Sequence, residues 1–291
     1  MILATGAGGT VGSELVKQLR AAGVKFRAGY YSQAKADEAR RHGMDGVALD
    51  FGRPETLGPA LNGVERVFLI SGNAPNQTEL ELNVVRAAKR AGVRHLVKSS
   101  VWGAQSEAFA FAKIHRPVEK EIEASGMAYT FLRPNGYMQN MHNFYAQTIR
   151  EQRAFYLPAR DARISHIDVR DIARVAVRAL TETGHDGQAH DLSGPEALTY
   201  QQVAEKLSTV VGQRVSYVDV SDQAFKEGMV SAGAPAEAAD ALIELFHYYI
   251  SGAAGRISPN VRRLAGTEPL SFDQYARDHA TAFRPEARAA G

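Results

Sequence analysis

Eight consecutive residues near the start of the chain, Thr5-Gly6-Ala7-Gly8-Gly9-Thr10-Val11-Gly12, constrain the fold more than any others. They join a short apolar run, residues 1–4, to a segment, 10–22, in which Val11, Leu15, Val16 and Leu19 recur at helical spacing. Glycine reaches backbone conformations closed to other residues, and a helix N-terminus presents unpaired amides and the positive end of its dipole to an anion. A dinucleotide pyrophosphate needs a tight turn, a close backbone approach and a helix start aimed at it. Gly6 is expected to make the turn, Gly9 to permit the approach and Gly12 to let the helix pack on the sheet, with Thr10 and Val11 at the helix start beside the phosphates. The spacing is G-x-x-G-x-x-G rather than G-x-G-x-x-G, and a glycine cluster alone is a weak signal. Its place between a strand and a helix makes it a dinucleotide-binding turn.

The chain to residue 132 repeats that alternation. Strands are expected at 25–30, 47–49, 66–70, 95–98 and 129–132, and helices at 34–42, 54–61, 78–91 and 109–124. The run 66–70 is nearly continuous in apolar residues, as a strand covered on both faces should be. Alternating strands and helices imply right-handed βαβ units on a parallel sheet. The expected fold is therefore α/β, a Rossmann-type doubly wound parallel sheet. Past Arg133 the pattern loosens. Residues 163–167 read as a strand, 168–181 as a helix entered through Asp168, and 190–192 and 215–220 as strands. Thr199-Tyr200-Gln201-Gln202 reads as a capping box opening a helix to Val211. Residues 1–133 are expected to form the nucleotide-binding core and 134–291 a smaller, interleaved, mainly helical substrate-side region, with 285–291 a frayed tail.

Composition narrows the partners. Among 291 residues, 34 Lys and Arg face 32 Asp and Glu, a net charge of +2 that leaves no electrostatic footprint for nucleic acid. No apolar run approaches the roughly 18 residues of a membrane span. Cysteine is absent, which excludes disulfides, zinc thiolates and a cysteine nucleophile. With the glycine turn beginning at Gly6 there is no room for a secretory leader, so the chain reads as cytoplasmic. The nine histidines form no His-x-x-x-His or Glu-paired zinc motif, so no metal is expected. No G-x-S-x-G elbow is present, which excludes an α/β-hydrolase site.

NAD-preferring sites carry an acid about 20 residues beyond the glycine turn, on the ribose 2′-hydroxyl. Here the second strand ends in Tyr30-Tyr31-Ser32-Gln33-Ala34-Lys35, with no acid before Asp37. Ser32 and Lys35 are placed to take a 2′-phosphate and Tyr31 to stack on adenine, which favours NADPH over NADH. Asp50 and Phe51, just past the third strand, either flank the adenine or, for Asp50, cap the next helix. Ser71-Gly72-Asn73 and Ser99-Ser100 end the fourth and fifth strands, where ligands sit in open α/β sheets.

With these residues in view, the chain resembles the atypical NmrA-like branch of the short-chain dehydrogenase/reductase superfamily over most of its length. The resemblance is carried by the glycine turn, Lys98-Ser99-Ser100, the run Leu132-Arg133-Pro134-Asn135-Gly136-Tyr137-Met138-Gln139-Asn140, Asp168-Val169-Arg170-Asp171-Ile172-Ala173, and Leu192-Ser193-Gly194-Pro195-Glu196-Ala197-Leu198-Thr199. Within the branch it looks most like NADPH-dependent quinone oxidoreductases and triphenylmethane dye reductases. The superfamily's Tyr-x-x-x-Lys is represented by Phe109-Ala110-Phe111-Ala112-Lys113. The resemblance implies that Lys113 holds the nicotinamide ribose and lends positive charge to a developing anion; otherwise it is a helix-surface lysine. Phenylalanine donates no proton, which argues against ordinary ketone chemistry. Pro134 and Asn135 are expected to edge the nicotinamide pocket, and Tyr137 either replaces the missing donor or walls the substrate site. Part of the stripe Met138, Met141, His142, Phe144 and Tyr145 is expected to face a flat acceptor.

Two functions follow. One is an oxidoreductase passing hydride from NADPH to a planar, apolar, electron-poor acceptor such as a quinone or dye. The other is a non-catalytic NADP-binding redox sensor acting through a protein partner, since one fold hosts both. The apolar stretch 239–250 reads as a packed helix lining the cleft or, in a homodimer, an interface.

Overall fold

The computed structural model describes residues 1–284; the tail expected at 285–291 lies outside them. The strands are β1 (Ile2–Ala4), β2 (Phe26–Tyr30), β3 (Asp45–Ala48), β4 (Arg66–Leu69), β5 (His95–Ser99), β6 (Ala128–Pro134), β7 (Ala154–Leu157), β8 (Gln188–Leu192) and β9 (Ser216–Asp219). The helices are α1 (Thr10–Ala21), α2 (Gln33–Arg41), α3 (Pro54–Leu61), α4 (Gln77–Arg90), α5 (Ala110–Ala124), α6 (Ala146–Gln152), α7 (Val169–Thr181), α8 (Tyr200–Val211), α9 (Asp222–Ser231), α10 (Ala236–Ile250), α11 (Asn260–Ala265), α12 (Phe272–Asp278) and α13 (Ala280–Phe283).

Seven strands pair in parallel in the order β3-β2-β1-β4-β5-β6-β8, so the α/β doubly wound sheet expected from the sequence is present. The order reverses between β1 and β4, the switch point at which such sheets open a crevice beyond their carboxyl ends. Strand periodicity divides the core. Ile2 and Ala4 of β1, Phe68, Val97 and Leu132 face α1 and α7. Leu3, Val67, Leu69, Leu96 and Phe131 face α3, α4 and α5. Both faces are buried, which is why these strands carry nearly unbroken apolar runs.

The chain beyond Pro134 builds a second core from Met138, Met141, Phe155, Leu207, Phe246 and Tyr275, and from the two-stranded pair β7-β9. It returns to the main sheet through α7 and β8. The capping box at Thr199 and Gln202 forms as expected, and Asp168 caps α7 by accepting from the Arg170 amide at 2.9 Å. The strand expected at 163–167 does not form. Its backbone is satisfied by scattered partners: Ile164 exchanges hydrogen bonds with Leu198, the Ser165 amide donates to Ala254, the Ile167 amide donates to Gly136, and the Gly194 and Met138 amides donate to carbonyls of the segment. Isolated bridges replace a ladder because no single neighbour runs alongside.

Gly12 has no room for a side chain, since a Cβ there would collide with the Gly6 carbonyl. Gly12→Ala is expected to lower the unfolding free energy by about 1–3 kcal/mol, the range for overpacking a close contact. Urea denaturation monitored by circular dichroism would measure it.

Candidate functional site: a dinucleotide cleft at the carboxyl ends of the sheet

The glycine turn sits at the switch point. Gly6 is left-handed (φ +58°), and a Cβ on it would come within 2.8 Å of the Ile70 side chain. Gly9 donates its amide to the Gly6 carbonyl at 2.9 Å and serves as N-cap of α1. A glycine offers no capping oxygen, so the first amides of α1 are left for a ligand. Gly12, expected to let the helix pack on the sheet, sits directly against the Gly6–Ala7 backbone of the turn. Val11 is buried, so only its backbone can face the phosphates, whereas Gly8, Gly9 and Thr10 are exposed. Thr5, which sequence reasoning passed over, ties the turn to β4: its hydroxyl donates to the Ile70 carbonyl at 2.8 Å and accepts from the Ile70 amide at 2.9 Å. Free amides, a cradle that side chains would fill and a nearby cation together fit a dinucleotide pyrophosphate.

That cation is Lys35. Its Nζ lies 3.6 Å from the Cβ position of Gly8, directly over the turn. Ser32 caps α2, its hydroxyl accepting from the Lys35 amide at 3.3 Å. Tyr31 is 81% exposed and free to stack. Asp50 does not cap α3, whose N-cap is Arg53; its carboxylate instead closes a turn by accepting from the Gly52 amide at 2.9 Å. Phe51 packs its ring on the α3/α4 core.

At the end of β4, Gly72 and Asn73 are exposed, while the Ser71 hydroxyl donates to Glu81 at 2.8 Å. Glu81 belongs to a buried pair with Lys98 of β5, both essentially inaccessible. Burial alone would raise the Glu81 pKa, but the Lys98 ammonium and its hydrogen bonds hold it below the ordinary carboxylate value. A second buried carboxylate, Glu119 of α5, accepts from Arg133 at 2.7 and 2.9 Å and from the Ser100 hydroxyl at 2.7 Å. These groups form a polar layer between β5, β6, α4 and α5 and fix Ser71 and Ser100 at the crevice. Nothing in the sequence marked Lys98 or Glu119 as buried.

Ser99, Pro134, Asn135 and Tyr137 come together at the ends of β5 and β6. The Asn135 side chain is committed internally: its amide donates to Ser165 at 2.9 Å and to the Ala254 carbonyl at 2.8 Å, and its oxygen accepts from Gly136. It shapes the loop and leaves ligand contact there to backbone atoms. Burial pushes the Tyr137 phenol above its ordinary value, and the adjacent Ser99 hydroxyl offsets part of that. Lys113 is exposed and pairs with Glu244 of α10 at 3.1 Å, and Phe109 is buried. The expected stripe divides: Met138 and Met141 are core, whereas Phe144 is 68% exposed. Phe144 lies on a π-helical turn, Met141–Tyr145, whose Asn143 amide reaches the Thr10 hydroxyl at 3.5 Å. Asn143 thus arches over the phosphate end of the cleft, a placement that only tertiary structure brings about. A surface depression of about 590 Å³ beside Leu61, Asn62 and Arg90 lies at the opposite, amino-terminal side of the sheet.

A sheet of this order, opened by such a turn and followed by this cleft, defines a Rossmann-type dinucleotide-binding protein. Residues 1–275 match the NmrA-like family, and the chain belongs to it. It is 38% identical over 284 residues to the NAD(P)H azoreductase of Xenophilus azovorans, covering 97% of this chain and 99% of that protein. The structure resembles the NADPH-dependent quinone oxidoreductase of Escherichia coli solved with NADPH (TM-score 0.87, 29% identity, 96% and 99% of the two chains). It also resembles the Citrobacter sp. triphenylmethane reductase complexed with NADP(H) (TM-score 0.84, 27% identity, 96% and 99%). The protein is an NAD(P)H-dependent oxidoreductase with an NADPH-binding fold. Among the described residues no helix is long and apolar enough to cross a membrane.

Two stability predictions follow from the buried polar groups. Lys98→Met strands the Glu81 carboxylate and is expected to cost about 3–5 kcal/mol, most of it recovered when Glu81→Met is added; chemical denaturation of the single and double variants would measure this. His166, beneath Gly136, is buried with neither ring nitrogen hydrogen-bonded to a described residue, and burial lowers its pKa from 6.5 to about 4. Between those values the unfolded chain takes up a proton that the folded chain refuses, so stability falls as pH drops from 6.5 toward 4. Urea titrations across that window should show the fall, and a shallower one in His166→Phe.

Proposed function

We propose that the protein uses NADPH to reduce a flat, conjugated, electron-poor acceptor of the quinone or dye class. The observation that carries this reading is Phe109, which occupies the tyrosine position of the superfamily and is 1% exposed. An alkoxide produced from an isolated ketone needs a strong local acid, and α5 offers none. Hydride transfer to a triphenylmethane cation gives a neutral product and needs no acid, and a quinone gives a hydroquinone monoanion, an aryloxide far less basic than the alkoxide of an isolated ketone, so a weaker donor than the superfamily's tyrosine–lysine pair can complete the reaction. The similarity to an azoreductase, a quinone oxidoreductase and a triphenylmethane reductase supports turnover over a binding-only role.

When bound, the dinucleotide supplies the hydride. The chain's own residues divide the remaining work. The Gly6–Gly9 turn and the first amides of α1, at Thr10, Val11 and Gly12, receive the pyrophosphate. Lys35 and Ser32 take the 2′-phosphate, and Tyr31 stacks on the adenine with Asp50 and Phe51 alongside. Ser71, Gly72 and Asn73 border the dinucleotide at the end of β4, and Ser99, Pro134 and Asn135 shape the nicotinamide pocket. Lys113 exchanges Glu244 for the ribose hydroxyls, at little cost because the pair is exposed. Tyr137 walls the acceptor site, and the exposed Phe144 ring gives a flat acceptor a face to lie on. A protein dependent on NADPH is placed where that cofactor is regenerated, consistent with the cytoplasm.

Oxidation of NADPH, followed at its own absorbance with quinones, azo dyes and triphenylmethane dyes, tests the reading. Turnover is expected with at least one class. Lys35→Ala is expected to raise KM for NADPH about tenfold, the loss of one charge-assisted hydrogen bond, and to leave KM for NADH nearly constant. An NADPH to NADH preference identical to wild type would refute the role of Lys35. Tight NADPH binding without turnover across the panel would refute the substrate class.

A further inference from the structure

The ring that buries Phe109 belongs to Tyr248 of α10. Their centroids are 4.4 Å apart and their planes tilted by 31°. One helical turn farther along, Lys113 Nζ meets Glu244 Oε2 at 3.1 Å. Helix α10 is therefore laid against the start of α5 through two rungs, 109 with 248 and 113 with 244. The aromatic stacked on the superfamily's tyrosine position is Tyr248, half-buried where Phe109 is enclosed.

The surroundings of its hydroxyl place it at the crevice. Gly103 is left-handed (φ +76°), and a Cβ there would collide with the Tyr248 oxygen. Gly103 follows Trp102, whose amide donates to the Pro134 carbonyl at 2.9 Å, so this loop runs beside the end of β6. The next residue, Tyr249, brings its own hydroxyl to 3.0 Å from the Cβ position of Gly136. Adjacent tyrosines thus span the carboxyl ends of β5 and β6, where ligands lie in open α/β sheets. Among the described residues the Tyr248 hydroxyl has no hydrogen-bond partner, and burial together with the Asp191 carboxylate raises the phenol's pKa, against the opposing Arg256.

We propose that Tyr248 donates the proton of the reduction, restoring from α10 the hydroxyl that α5 lacks. The proposal rests on the function inferred above. A quinone that has accepted a hydride is a hydroquinone monoanion; it has gained two electrons and lacks one proton. The Tyr248 O–H bond breaks as an O–H bond forms on the substrate oxygen, and water returns a proton to the tyrosinate. An azo group completes its hydrazo product in the same way, with the proton delivered to nitrogen. A triphenylmethane cation needs no proton, because hydride alone gives the neutral product.

That difference in stoichiometry supplies the test. Tyr248→Phe keeps the ring stacked on Phe109 and removes only the hydroxyl. The ratio of quinone to triphenylmethane turnover is expected to fall by about a hundredfold, the low end of what a positioned proton donor contributes. Calorimetric affinity of the cofactor-free protein for the hydroquinone product is expected to fall up to about tenfold, the loss of one hydrogen bond. A turnover ratio within twofold of wild type overturns the proposal. If the wild-type protein turns over neither acceptor, the functional reading fails instead, and an unchanged hydroquinone affinity in the variant then overturns the role of Tyr248.

Discussion

The contact between Gly12 and the Gly6 carbonyl sets the geometry on which the rest of the cleft depends. A side chain at Gly12 would lift α1 off the turn and swing its first amides away from the end of β1, and one at Gly6 would press on Ile70 at the end of β4. Thr5 makes the same junction rigid from the other side, joining β1 to Ile70 through both a donated and an accepted hydrogen bond. Helix α1 then packs on α7 over a shared apolar core that includes Leu15, Leu19, Ile172 and Ala176. The aim of the helix is thereby fixed by packing along its whole length, not by the turn alone. Preorganisation of this kind means that ordering the phosphate site takes little from the binding free energy of a dinucleotide.

The opposite face of the sheet is held differently. Two carboxylates, Glu81 and Glu119, are buried against Lys98, Arg133 and Arg116, an arrangement that hydrophobic residues of equal volume would match in stability. What such residues would not supply is direction. Each carboxylate also receives a serine hydroxyl, Ser71 or Ser100, from a strand end at the crevice. The charges orient the loops that border the cofactor, so their desolvation cost is spent on the shape of the site.

The fold was legible because each buried strand is short, apolar and bounded by a helix with a clear stripe, and because the glycine turn can serve few other purposes. Legibility declined where tertiary partners decide the outcome. Ile164 and Ile167 carry the composition of a strand, yet each finds a different neighbour, and the local pattern contains no trace of that choice. Asn135 has the chemistry of a ligand contact, but its amide is consumed by Ser165 and Ala254, residues 30 and 119 positions away. Lys98 sits one residue before the end of β5, and its burial is explained only by α4 and α5 folded over it. Asn143 reaches Thr10 across 133 residues, a separation that periodicity cannot bridge.

The relation between α5 and α10 bears on how a site can change chemistry without changing fold. A tyrosine on α5 would deliver its proton from a helix rooted in the sheet, fixed relative to the cofactor and indifferent to what the substrate-side region does. With Phe109 in that place, the nearest phenol stands on α10, a helix of the substrate-side region that touches the core through a stacked ring and an exposed ion pair. Exposed ion pairs hold little free energy, so the position of that phenol depends on its ring contact, on the space left by Gly103 and on the buried anchors of α10, Phe246 and Tyr249, in the substrate-side core. Proton delivery placed there is coupled to how α10 seats against the loops after β5 and β6, and therefore to whatever acceptor lies between them. An acceptor that needs only hydride escapes this coupling; one that needs a proton as well is selected by how it lets α10 settle.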